Sequence, residues 1–134
     1  MSDVTQMHDV WAYRDRSELG SNVMDTQADL SGFKVEALDG SIGKVDEATY
    51  EMGRSHIIVD TGPWIFGKKV MLPAGVVRSI DETDEVVFVN RTKDQIKNAP
   101  EFDDSLLADD NYRSSIGTYY GRGGLGYRDW DDTL

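Results

Sequence analysis

A chain of 134 residues is sized for one domain, and its net charge of −11 disfavours nucleic-acid backbones and anionic membrane surfaces as partners. It holds no cysteine, which excludes disulfides, thiolate catalysis and Cys-based zinc sites and fits a reducing compartment. No charged n-region and apolar h-region open it, and no run reaches the ~18 apolar residues of a membrane helix, so a soluble, cytoplasmic protein is expected.

Residues 1–28 are polar. Val4, Met7 and Trp11 fall at i, i+3 and i+7, which allows a short amphipathic helix from Asp3 to about Asp15. With only one apolar row it does not repay its nucleation cost, so the segment is expected to be disordered or docked. From Leu30 the pattern turns to strands, organised around the dipeptide Asp39-Gly40. Phe33, Val35 and Ala37 alternate with Lys34 and Glu36 before it, and Ile42 to Tyr50 follows. Asp-Gly suits a tight hairpin with positive φ at both central residues, and Gly43, between Ile42 and Val45, is placed for a bulge that restores the inward face.

Further strands are expected at Ser55 to Asp60, at Lys68 to Leu72 with Pro73 as its stop, at Val76 to Ile80, and at Glu85 to Val89 after the acidic turn Asp81-Glu82-Thr83-Asp84. The run Val86 to Val89 is apolar on both faces, so this strand is expected to be central or covered. Short strands at such spacing indicate a small all-β barrel or sandwich. Thr92-Lys93-Asp94-Gln95 matches a capping box, and Pro100 ends the short helix it starts; Ile96 is its anchor, a plug on one barrel end. After the acidic connector Glu101 to Ala108, a second helix is expected from Asp109 or Asp110. Tyr112, Ile116, Tyr119 and Tyr120 share one of its faces, Gly117 weakens it, and Gly121 suits a left-handed C′ position. Arg122 to Leu134 is expected to be mobile unless bound.

Charge divides unevenly. Residues 29–100 carry twelve acidic against nine basic groups, residues 101–134 eight against three, and residues 1–28 five against two, so the flanks hold most of the excess. The division expected is an N-terminal arm (1–28), a β domain (29–103) and an acidic, Tyr- and Gly-rich extension (104–134).

With these elements in order, the chain resembles the PRC-barrel family. The resemblance rests on Leu30 to Val35 leading to Asp39-Gly40 and Ile42-Gly43-Lys44-Val45, on Ile58 to Gly62, on Phe66 to Gly75, and on Val87-Phe88-Val89 followed by Thr92 to Pro100. It covers about residues 29–103. Members include the cytoplasmic domain of the photosynthetic reaction-centre H subunit and the C-terminal domain of a ribosome-maturation factor. Tyr112 to Gly121 is also similar to a segment that follows the barrel in free-standing bacterial members. The resemblance implies a six-stranded antiparallel β-barrel with a short capping helix and helical or disordered tails. It further implies a docking module, often self-associating, with no catalytic residues to carry over.

The remaining motifs are weak. Gly121-Arg122-Gly123-Gly124-Leu125-Gly126 fits G-x-G-x-x-G but lacks the βαβ context that dinucleotide binding needs, and reads as a linker. Asn90-Arg91-Thr92 fits a glycosylation sequon, yet Thr92 serves better as a helix cap. His8 and His56 are the only histidines, and no Ser/His/Asp grouping accompanies them. Asp103-Asp104 and Asp109-Asp110 lack the regular calcium-loop pattern and read as solvated connectors. No catalytic, cofactor-binding or metal-binding residues are therefore expected.

The aromatics carry more. Trp64-Ile65-Phe66 follows Gly62-Pro63 between two strands, where it either closes a barrel end or faces a partner. Trp11, Tyr13 and Trp130 lie in polar flanks, and Tyr13-Arg14-Asp15 recurs as Tyr127-Arg128-Asp129, each beside a Trp. The candidate protein-interaction residues are Trp11, Tyr13, Trp64, Phe66, Tyr112, Ile116, Tyr119, Tyr120 and Trp130. The expected function is a non-enzymatic adaptor or scaffold that binds an unidentified protein and forms a homodimer or higher homo-oligomer, without direct nucleic-acid contact or membrane insertion. The alternatives are a ribosome- or RNA-processing-associated factor and a stress-response structural protein.

Overall fold

The computed structural model describes residues 10–13, 19–20, 27–50, 54–62 and 68–123. Six strands form one sheet: β1 (Lys34–Ala37), β2 (Gly40–Ala48), β3 (His56–Asp60), β4 (Lys69–Pro73), β5 (Val77–Asp81) and β6 (Val86–Val89), in the spatial order β4-β3-β2-β1-β6-β5. The helices α1 (Lys93–Lys97) and α2 (Asp110–Thr118) follow.

Two expectations need correction. The sheet is mixed, because β1 and β6 run parallel while the other four neighbouring pairs are antiparallel. It is also open, since the outer strands β4 and β5 share no ladder among the described residues. The physical reason lies at Pro73. Without an N–H it ends β4, and Ala74–Val76 then form one tight 3-10 turn that sends the chain into β5. Consecutive strands joined at such a corner do not pair, so β5 pairs with β6 instead.

The bulge expected at Gly43 is present. Val35 faces Gly43 and Glu36 faces Ser41, which leaves Ile42 as the extra residue, so Ile42 and Val45 both turn inward and are buried. Gly43 sits at φ 145°, and a Cβ there would lie 2.0 Å from the Asp60 carbonyl oxygen, so the strand crossing needs glycine. The hairpin turn differs from expectation. Gly40 has positive φ but Asp39 does not. Tertiary contacts hold this turn: Asp39 Oδ1 accepts from the Lys93 N–H at 2.8 Å, and the Leu38 N–H donates to the Arg91 carbonyl at 2.9 Å.

Helix α1 starts with the full capping box. Thr92 Oγ1 accepts from the Gln95 N–H and Gln95 Oε1 accepts from the Thr92 N–H, while Ile96 is buried beneath it. Strand β6 is paired on both sides; Val87 and Val89 are buried, and Phe88 lies half-buried beneath the Arg78 guanidinium at 5.2 Å. This interior position of β6 is the central place expected for it, and of the six strands β3 carries the longest run of buried residues, His56 through Val59. One hydrophobic core joins the sheet (Val35, Ile42, Ile57, Leu72, Val87) to Tyr13 and Leu19 of the N-terminal region and to Tyr112, Ile116 and Tyr120 of the C-terminal region. Fully burying a side chain of this size contributes about 1.5–3 kcal/mol, so the flanking segments add materially to a small core. No helix among the described residues is long and apolar enough to cross a membrane.

Candidate interaction surface

The feature with recognition chemistry is a slot at the sheet corner that receives the segment Val10 to Tyr13. The main chain of this segment is held at two points: the Gly75 N–H donates to the Val10 carbonyl at 2.7 Å, and the Ser55 N–H donates to the Trp11 carbonyl at 2.9 Å. Both donors come from strand ends, the tight turn after β4 and the residue before β3, where a sheet leaves N–H groups without ladder partners. Glycines clear the space. A Cβ on Gly75 would stand 2.8 Å from Val10 Cα, and one on Gly117 of α2 would stand 2.9 Å from Trp11 Nε1.

The Trp11 indole is half-buried between the β3 end and α2. The Arg113 guanidinium lies 4.6 Å from its ring centre, a cation–π contact, and His56 meets it edge-on at 6.5 Å. Arg113 Nη1 also donates to the Arg54 carbonyl at 3.3 Å. His56 Nδ1 lies 3.0 Å from that same carbonyl, which can only accept, so Nδ1 carries the proton of a neutral ring. Its Nε2 is buried and has no partner among the described residues. Burial pushes the imidazole below its ordinary value, reinforced by the positive charges of Arg113 and Arg54 and opposed by the Arg54 carbonyl bond and Glu47. Two residues further on, the Tyr13 ring is buried against Tyr50 at 5.2 Å. Tyr50 in turn donates to the Ala28 carbonyl at 2.6 Å, and burial, with Asp29 and Glu82, pushes its phenol up to about 12.

Helix α2 forms the other wall. Asp109 caps it by accepting from the Tyr112 N–H at 3.0 Å. Tyr112 donates to the Pro100 carbonyl and Tyr119 to the Gln95 carbonyl, tying α2 to the segment around α1. The left-handed cap expected at Gly121 is absent. The helix runs on into a wider π-helical turn, Tyr119–Gly123. The buried Arg91 supplies the reason, since its Nη2 donates to the Tyr120 carbonyl at 2.6 Å and places a cation where the helix dipole is negative.

The nine residues expected from sequence therefore divide. Tyr13, Tyr112, Ile116 and Tyr120 are buried within the chain's own core, which leaves little of them for a partner; Trp11 and Tyr119 are half-buried in the seam between arm, sheet and α2. Trp64, Phe66 and Trp130 lie outside the described residues, as do most of the proposed Asp3 to Asp15 helix, the end of the G-x-G-x-x-G stretch and the second Tyr-Arg-Asp. Sequence reasoning missed Gly75, Arg113 and Arg91. It read Gly117 only as a helix weakener, whereas a glycine retained inside an otherwise good helix also signals a close neighbour. Among the described residues the exposed large apolar side chains are Leu38 and Leu107. Among the described residues no group of three or more His, Asp or Glu side chains is arranged to hold a metal ion. No family model matches the chain, and no curated protein matches it.

Proposed function

We propose that the chain is a non-enzymatic adaptor or scaffold of the PRC-barrel type, binding protein and associating with itself. The observation that carries this reading is the slot, in which an uncharged aromatic segment, Val10-Trp11-Ala12-Tyr13, is held by two main-chain hydrogen bonds and a cation–π contact. Main-chain bonds for affinity and an aromatic in a fitted recess for selectivity are how β-modules recognise extended peptides. The resemblance over residues 29–103 and the short helix α1 that follows the sheet favour the family; the small sheet favours a docking module over an enzyme. Native mass spectrometry of the full chain from about 1 to 100 μM, bracketing the micromolar affinities of ordinary protein association, tests the self-association. Dimers or larger species that grow with concentration are expected, and a monomer throughout overturns the reading.

A further inference from the structure

We infer that the arm slot is the self-association site, filled in the assembled protein by the Val10 to Tyr13 arm of a second copy. This rests on the self-association proposed above and names its joint. Among the described residues the walls of the slot come from those after the arm: Ser55 and His56 at the start of β3, Gly75 in the turn after β4, Gly117 in α2 and Gly121 in the π-helical turn that continues it. The arm adds no strand to the sheet, so the sheet's ladders do not depend on which copy supplies it. The contacts made in cis are the ones a second copy would make in trans, which is why exchange of a terminal element is a low-cost route to dimers.

Charge suits this joint. Two copies of net charge −11 repel, and association must occur where acid does not face acid. The arm's four described residues are uncharged, and the slot presents the guanidinium of Arg113 to Trp11, while the Arg54 guanidinium is paired with Asp110 at 3.9 Å.

The absence of cysteine permits a direct test on the full chain. A Cβ on Gly121 would lie 3.8 Å from Val10 Cβ, within the range a disulfide bridges. Chains carrying only Val10→Cys and chains carrying only Gly121→Cys are unfolded together, refolded as an equal mixture and oxidised. If the arm crosses, a covalent dimer holding one of each chain forms well above its share under random pairing, and adding Gly75→Ala to the Gly121→Cys chain sharply reduces it. Random or absent cross-linking overturns the inference. Native mass spectrometry of the parent chain separates the two failures: an oligomer without the mixed product leaves self-association standing through another face, whereas a monomer removes both. Circular dichroism of each single-cysteine chain confirms folding, and a tagged pair in which Trp11→Ala in the tagged chain lowers capture of an untagged parent supplies a second, cysteine-free readout; unchanged capture also overturns the inference.

Discussion

Tyr120 is the largest fully buried side chain described, yet its hydroxyl has no partner among the described residues. Its ring lies edge-on to Tyr119 at 5.0 Å and faces the Arg91 guanidinium at 5.9 Å, contacts a phenyl ring keeps. A buried hydroxyl without a hydrogen bond costs on the order of 1–3 kcal/mol, so Tyr120→Phe is expected to raise stability by about 1 kcal/mol, seen as a higher urea midpoint. A lower midpoint would mean that the hydroxyl is bonded after all. His56 sets the pH dependence. Its folded pKa lies below the ordinary 6.5, chiefly through burial, so the unfolded chain binds the proton more readily. The neutral ring's contribution is complete above that value and is lost as pH falls below it toward the folded pKa. Between pH 7.5 and 5.5 the parent's urea midpoint is expected to fall more than that of His56→Gln; parallel curves would show that the ring stays uncharged or exposed in both states.

At the level of elements, two glycines with positive φ separate clash from strain. Gly43 in β2 would place a Cβ 2.0 Å from the Asp60 carbonyl oxygen, whereas Gly62, at φ 56°, has nothing within 4 Å among the described residues. Gly43→Ala is expected to cost on the order of 4 kcal/mol, because the β2–β3 crossing must open. Gly62→Ala should cost about 1 kcal/mol, the left-handed backbone penalty alone. Chemical denaturation of the two variants checks the ratio. Several elements were legible in sequence because their causes are local. The capping box at Thr92, the helix start at Asp109 or Asp110, the stop at Pro73 and the bulge at Gly43 each depend on a few neighbouring residues, and all four stand in the structure. The Asp39 turn and the end of α2 were misread for the converse reason. A carboxylate in the turn and a guanidinium from position 91 reach elements far away in the chain, and single-segment patterns do not contain them.

For the molecule as a whole, a net charge of −11 makes self-repulsion a general term, while the exposed ion pairs Lys68–Glu101 and Lys69–Asp46 are each worth about 0–1 kcal/mol. Raising ionic strength from roughly 0.02 to 0.5 M shortens the Debye length to a few ångströms and screens both, the repulsion being the larger. The thermal midpoint is therefore expected to rise with salt; a fall would place the ion pairs above the repulsion. What residue order determined by itself was a β-rich centre, two short helices and the capping box at Thr92, since periodicity and capping act within a few residues. Only the tertiary structure decided that β1 and β6 run parallel, that the sheet stays open at the Pro73 corner, and that Trp11 rests on Arg113 against Gly117. Those outcomes depend on which distant segments meet, and burial of the shared core, not any local preference, selects among the meetings.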